Sequence, residues 1–304
     1  MATSRRQLGV AGTCRGELGG SLARVRTLPR ALRIRAAQGE MKRRSGISLE
    51  CRQSLLPLAA AVVPRRAVDP DNVGPVWQYW HAGADGAPSL VRRCMESVER
   101  HLARPLIRLS DQNYSDFVSV PDWLRGKQEI TRTHFSDILR WHLLAEHGGT
   151  WVDATVMLSG PMPVDIAGSP FFAFTRPADP MLLASWFIRS SAGHPLAVCC
   201  RDVLLAYWSR EESLCDYFLV HHVFEALVTY HSSLRRLWTS TPCYSFEPPH
   251  LLQSMLMNDY EAGPVAEVLK QVWIHKLTYK LPARETSDRS FKVLDFLSAA
   301  SSAT

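Results

Sequence analysis

The stretch from Thr133 to Leu158, THFSDILRWHLLAEHGGTWVDATVML, constrains the fold of this chain more than any other. Phe135, Ile138, Leu139 and Leu143 recur at three- and four-residue spacing, so they line one face of a helix. Gly148-Gly149 then supplies a left-handed stop that a residue with a Cβ would resist. From Trp151 to Leu158 the residues are mostly apolar or β-branched, which predicts one buried or half-buried strand. Three charged groups interrupt this frame. Asp137 and Arg140 are three residues apart and share a helix face, and Asp153 lies in the strand. A carboxylate inside an apolar strand is costly unless something pairs with it. Asp153 is therefore expected at the strand's exposed end, facing a ligand or a metal.

The flanking segments alternate in the same way. VWQYWH (Val76 to His81) reads as a short aromatic strand, and Ser89 to Leu102 as a helix with Ser89 at its cap and Leu90, Cys94, Val98 and Leu102 as its stripe. Pro105 to Leu109 is a second strand, and Trp123-Leu124 a helical turn. Beyond the centre, PFFAF (Pro170 to Phe174) and ASWFIRS (Ala184 to Ser190) are further strands, joined by a turn at Pro177 to Pro180. His194-Pro195 opens a helix to Trp208, and DYFLVHHVFEALVTY (Asp216 to Tyr230) is apolar nearly all round, hence a buried helix. Strands separated by crossover helices predict an α/β fold around a mainly parallel central sheet, with ligands beyond the carboxyl ends of its strands. Both VWQYWH and TWVDAT would end at that edge.

Charge separates the chain into parts. Residues 1–66 hold 14 Lys and Arg against three acids, whereas residues 67–304 hold 21 basic and 26 acidic groups. The overall charge of +6 therefore belongs to the leader, and it gives no support for a nucleic-acid face on the folded domain. Up to about Asn72 no periodicity is visible, and the composition shifts at the turn-rich Asp69 to Pro75. This divides the chain into a basic, disordered extension at 1–72, a folded domain at 73–290 and a polar tail at 291–304. LLPLAAAVV (Leu55 to Val63) faintly resembles a signal-peptide core, and the Arg-rich first 40 residues are equally compatible with a transit peptide. No segment has the ~18–20 apolar residues of a membrane span. Seven cysteines with no CxxC pattern form neither a disulfide framework nor a zinc pattern. Reduced, mostly buried thiols and a cytoplasmic setting are the expectation, with the basic extension offering a peripheral membrane contact.

Taken together and in this order, VWQYW, SDILR, GGTWVDATV twelve residues on, DYFLVHH and HKLTYK resemble the capsular polysaccharide synthesis proteins. These are relatives of the glycosyltransferases that carry an Asp-x-Asp sugar-binding motif, a group that includes α-mannosyltransferases and clostridial glucosyltransferase toxins. The resemblance covers about Pro75 to Lys280 and leaves out the leader. It implies a GT-A-like fold, a nucleotide-sugar donor, a glycan or lipid-linked acceptor, retention at the anomeric carbon, and Mn²⁺ or Mg²⁺. Carried over residue by residue, Trp77 would lie at the base-binding end of the nucleotide pocket, and Asp137 and Arg140 would hold the ribose and the donor sugar or phosphates. Asp153 would be the first Asp of the motif.

The chemistry runs parallel. A departing diphosphate gathers negative charge, which metal ions and cationic side chains stabilise best in a water-poor cleft. Arg140 offers a planar fork for phosphates or hydroxyls. The motif departs from Asp-x-Asp at Thr155, which shares a strand face with Asp153. A metal would then take Asp153, Thr155 and His275, while Lys276 and Lys280 neutralise diphosphate. Asp216, with His221 on the same buried helix, is the candidate base or acceptor-side group. The competing reading is a glycosyltransferase-like protein that binds sugar nucleotide without turnover, and Thr155 is its support. A membrane or nucleic-acid adaptor would rest on residues 1–66 alone.

Overall fold

The computed structural model describes residues 12–13, 41, 46–65, 74–102, 104–176, 179–256 and 262–280. In chain order the main elements begin with helix α1 (Leu49–Ala59), strand β1 (Val76–Tyr79), helix α2 (Ser89–His101), strand β2 (Leu106–Leu109) and helix α3 (Arg132–Glu146). Strands β3 (Gly149–Val152), β4 (Val156–Leu158), β5 (Phe171–Arg176) and β6 (Asp179–Ser190) follow. Helices α4 (Pro195–Trp208), α5 (Leu219–Tyr230), α6 (Ser232–Thr239) and α7 (Ala262–Gln271) lead to a last strand, β7 (Ile274–Lys276).

The central sheet has the order β2-β1-β3-β6-β5. β1 runs parallel to both neighbours, with Val76 opposite Leu106 and Trp77 opposite Trp151. β6 is antiparallel to β3 and to β5, so it alone opposes the shared direction of the other four. This is the α/β architecture expected, a mainly parallel sheet with helices against it. The carboxyl ends of β1 and β3 fall on one edge of the sheet, as the parallel register requires.

The helix–glycine–strand centre forms as its residues dictate. Thr131 caps α3, and Ile138, Leu139 and Leu143 lie in the core with Phe135 packed against it. Gly148 and Gly149 both have positive φ, +65° and +106°. A Cβ on Gly149 would sit 2.2 Å from the Pro75 carbonyl oxygen, so only glycine lets β3 approach the start of β1 this closely.

The strand expected over Trp151 to Leu158 is in fact two. β3 ends at Val152, the chain turns through Asp153 to Thr155, and β4 leaves for a separate antiparallel pair with β7. The turn closes where Val156 N donates to the Asp153 carbonyl at 2.9 Å. Apolar residues flank the break on both sides, so alternation alone could not locate it. The helix over Ser89 to Leu102 also holds, with its stripe buried, but Pro88 and not Ser89 occupies the cap position.

The leader needs a larger correction. Met41, Ile47 and α1 belong to the main core, with Cys51, Leu55, Leu56 and Ala59 fully buried. α1 packs against α4 and α5, so LLPLA, the first five residues of the faint signal-like segment Leu55 to Val63, is core helix. A helix covered on most of its circumference carries no amphipathic stripe, which is why its periodicity was invisible. Its anchors are long-range: His231 Nε2 lies 2.7 Å from the Ala59 carbonyl, and Cys51 is disulfide-bonded to Cys215. The expectation of reduced thiols fails for this pair, while Cys94, Cys199 and Cys200 are free and buried. Residues 14–40, most of the basic leader, and the tail at 291–304 lie outside the described residues. Among the described residues no helix is long and apolar enough to cross a membrane.

Candidate active site

Immediately past the carboxyl end of β3, Asp153 gathers the charged groups of three elements. Arg140 Nη2, from α3, donates to Oδ1 of Asp153 at 2.9 Å, and Trp151 Nε1 donates to the same oxygen at 2.8 Å. Lys276 Nζ, from β7, donates to Oδ2 at 3.1 Å and to the Thr155 hydroxyl at 2.5 Å. Asp137, one turn before Arg140, accepts from Nη1 of that guanidinium. The Arg140 plane also lies over the Trp151 ring, 4.9 Å from its centre. The side chain of Arg140 is only 2% exposed, whereas Asp153 and Lys276 keep 24% and 21%. The network is therefore buried at its arginine and open at its carboxylate and ammonium.

Backbone pairing brings these groups together. In the β4–β7 pair Val156 faces Lys276, and Leu277 N donates to the Thr155 carbonyl at 3.0 Å. Lys276 therefore leans back over the Asp153–Thr155 turn. His275, its neighbour in an extended strand, must point the other way. It is fully buried, with Nε2 2.9 Å from the Ser159 hydroxyl. Burial pushes the His275 imidazole down to about 3, so it is neutral at ordinary pH.

The two carboxylates respond oppositely to burial. Burial raises Asp153, but Lys276, Arg140 and the Trp151 indole outweigh it and hold its carboxyl at about 2. Burial also raises Asp137, and there Arg140 does not fully compensate, with the nearby Asp153 charge adding to the rise. Asp153 is thus the firmly ionised member. His221, on α5, is pushed down to about 4 by burial, by Arg140 and by His222, and senses Asp153 as well.

Of the sequence-predicted site residues, Asp137, Arg140, Asp153, Thr155 and Lys276 converge. Asp216 stands on the α5 side. It accepts from Phe218 N at 2.7 Å as the turn before α5 and lies 3.2 Å from His222 Nε2. Trp77 is a core residue, 2% exposed, whose Nε1 donates to the Gly148 carbonyl at 2.8 Å and so steadies the glycine turn. The aromatic at the sheet edge is Trp80, in contact with Tyr279 at 5.2 Å and packed against the cluster containing Ala154. Lys280 is exposed and lies near the Tyr279 ring. Three neighbours escaped sequence reasoning: Trp151, His134 and Tyr217. Trp151 was legible in principle, since it shares a strand face with Asp153 two residues on. His134 and Tyr217 meet edge to face at 5.8 Å from distant parts of the chain, and no local pattern joins them. Tyr217 and Phe218 are 61% and 54% exposed, and their rings meet His134 and His221 respectively.

The residues offered for a divalent ion do not assemble as one. Both oxygens of Asp153 are engaged, Lys276 takes the position between Asp153 and Thr155, and His275 turns away to Ser159. Mg²⁺ and Mn²⁺ require several oxygen ligands converging on one point. Among the described residues no group of three or more His, Cys, Asp or Glu does so. In this arrangement the one carboxylate and one hydroxyl of the turn are taken up by the Lys276 ammonium.

A family model described as "capsular polysaccharide synthesis protein" matches residues 62–294. Comparison with curated protein sequences finds no match. Among solved structures the chain is similar to the "PaToxG Glycosyltransferase" at 14% identity and a TM-score of 0.39, over 68% of this chain and 86% of that one.

Proposed function

We propose that this chain, which belongs to the family of capsular polysaccharide synthesis proteins, is a glycosyltransferase that moves a sugar from a nucleotide donor to a glycan or lipid-linked acceptor. The observation that carries the reading is the Asp137–Arg140–Asp153–Lys276 network at the carboxyl end of β3. In an α/β sheet this is where ligands bind. Two cations there can meet a diphosphate, and Arg140 brings a fork suited to phosphate or paired hydroxyls. Arg140 Nε, His134 Nε2, His221 Nδ1 and Trp80 Nε1 are buried and have no hydrogen-bond partner among the described residues. Buried polar atoms are normally satisfied, so a ligand is the natural partner of such a group.

Within this proposal the fold is GT-A-like. Trp80 and Tyr279 take the base-facing role that the sequence offered to Trp77. Asp153 acts by aiming Arg140 and Lys276 at the departing diphosphate. Tyr217 and Phe218 offer rings for an acceptor sugar to stack on, with Asp216 and His222 as the pair to receive the acceptor's proton. Retention of configuration, a cytoplasmic, membrane-peripheral setting and a role in polysaccharide synthesis belong to the same proposal.

The test is release of nucleoside diphosphate from UDP- and GDP-sugars with a glycan acceptor, alongside Arg140→Lys. Release by the parent and loss of ~10²-fold or more in the variant is the expected result for a bidentate contact. Thr155 in place of a second carboxylate favours one other reading, a domain that binds donor without turnover. Saturable donor binding with no release in any acceptor would establish that instead.

A further inference from the structure

We infer that the Lys276 ammonium does the work of a divalent metal, so that the donor's diphosphate is bound and neutralised in metal-free form. The inference rests on the nucleotide-donor reading above and deepens it.

Charge balance argues first. Two carboxylates in an Asp-x-Asp turn would balance a divalent cation. Here the third position is the neutral Thr155, leaving one carboxylate, and one ammonium balances it. Lys276 Nζ lies 3.1 Å from Asp153 Oδ2 and 2.5 Å from Thr155 Oγ1, bridging the two positions from which a metal would be held. The other Asp153 oxygen already accepts from Arg140 and Trp151, so the carboxylate has no second face to offer. The placement is built into the fold. The β4–β7 register sets Lys276 opposite Val156 and turns His275 inward to Ser159, where it is lost as a ligand. Lys276 nevertheless keeps 21% of its side chain exposed, enough for its one remaining proton to reach a bound phosphate oxygen.

The chemistry is consistent with the leaving group. A diphosphate gaining charge needs a fixed cation at hydrogen-bond distance, and a preorganised ammonium supplies one without metal exchange. Asp153 and Thr155 then position that ammonium, as two carboxylates would position an ion. Arg140 remains the second cation, locked behind by Asp137.

The experiment uses the full chain and three variants: Lys276→Gln, Lys276→Arg and Asp153→Asn. UDP and GDP are titrated calorimetrically, once with EDTA and once with MnCl₂, and Mn²⁺ alone is titrated against free-Mn²⁺ electron spin resonance. The expected result is binding of one nucleotide with the same Kd in EDTA and MnCl₂, no saturable Mn²⁺ site, and ~10-fold or greater weakening in Lys276→Gln. Lys276→Arg, which keeps the charge, should recover part of the loss and shows that the glutamine variant's defect is one of charge. Circular dichroism confirms that each variant is folded. Binding that requires Mn²⁺, or Lys276→Gln binding as tightly as the parent, would overturn the inference while leaving the donor reading intact. Failure of the folded parent to bind either nucleotide under both conditions would overturn both.

Discussion

Replacing Asp153 by Asn removes the one carboxylate that Arg140 and Lys276 share, and the cost follows from its ionisation. Its carboxyl is held at about 2 against an ordinary 3.8. Each unit of depression corresponds to about 1.4 kcal/mol, so the ionised group stabilises the folded chain by ~2–3 kcal/mol at neutral pH. The folded value lies below the unfolded one. The stabilisation is therefore fully present above about pH 4 and is lost as pH falls through the folded value, with roughly half remaining near pH 3. Asp137 pulls the other way. Burial, together with the Asp153 charge, raises its carboxyl, and removing that charge relieves part of the strain on it. The net loss should sit at the low end, ~2 kcal/mol near pH 7 and ~1 kcal/mol near pH 3. Urea unfolding of parent and Asp153→Asn at both pH values, with matching m values, measures this directly. An equal loss at the two pH values would refute the reasoning, because it would assign the effect to lost packing or neutral hydrogen bonds. No loss near pH 7 would refute it as well.

Two further outcomes test the fold around the site. Gly149→Ala should destabilise by ~3 kcal/mol or more, since a left-handed backbone acquires a side chain 2.2 Å from a carbonyl oxygen and 2.7 Å from the Trp77 indole nitrogen; a thermal midpoint within about two degrees of the parent, which corresponds to ~1 kcal/mol or less, would contradict it. Cys51→Ser should cost ~2–4 kcal/mol under oxidising conditions by releasing α1 from the loop before α5. Reductant should then bring the parent down to the variant and leave the variant unmoved; equal behaviour without reductant would show that the Cys51–Cys215 bond does not form.

The helix–glycine–strand centre was readable because local chemistry decides it: a three-four periodicity ends in two residues that alone tolerate positive φ. The charged residues stood out for the same reason, being costly in an apolar frame. The break at Asp153 was not readable, since β4 is as apolar as β3 and the choice of partner, β7, lies more than a hundred residues away. His275 and Lys276 show the same limit. Adjacent in sequence, they had equal claim to the site until the strand register assigned one to each face. The leader failed for the opposite reason: α1 is covered by α4 and α5 on most sides, so burial erased the stripe that would have announced it.

What stabilises this molecule and what its site requires are separable. Its core is a dense aromatic assembly in which Trp77, Trp141, Trp151, Trp208 and Trp238 are almost entirely buried. Taken whole, against apolar residues of similar volume, the Asp137–Arg140–Asp153–Lys276 network adds little to that, although removing Asp153 alone is costly because it strands the partner charges. Desolvating charges offsets most of what their attraction returns, and well-packed apolar residues commonly do as well. The arrangement leaves the carboxylate and the ammonium open to solvent while the guanidinium is sealed. Such an asymmetry disfavours a structural ion pair and favours a surface shaped for an anion. A bound diphosphate would supply an acceptor to the open ammonium, with the sealed guanidinium adding its charge from behind, and offset part of the desolvation of the network.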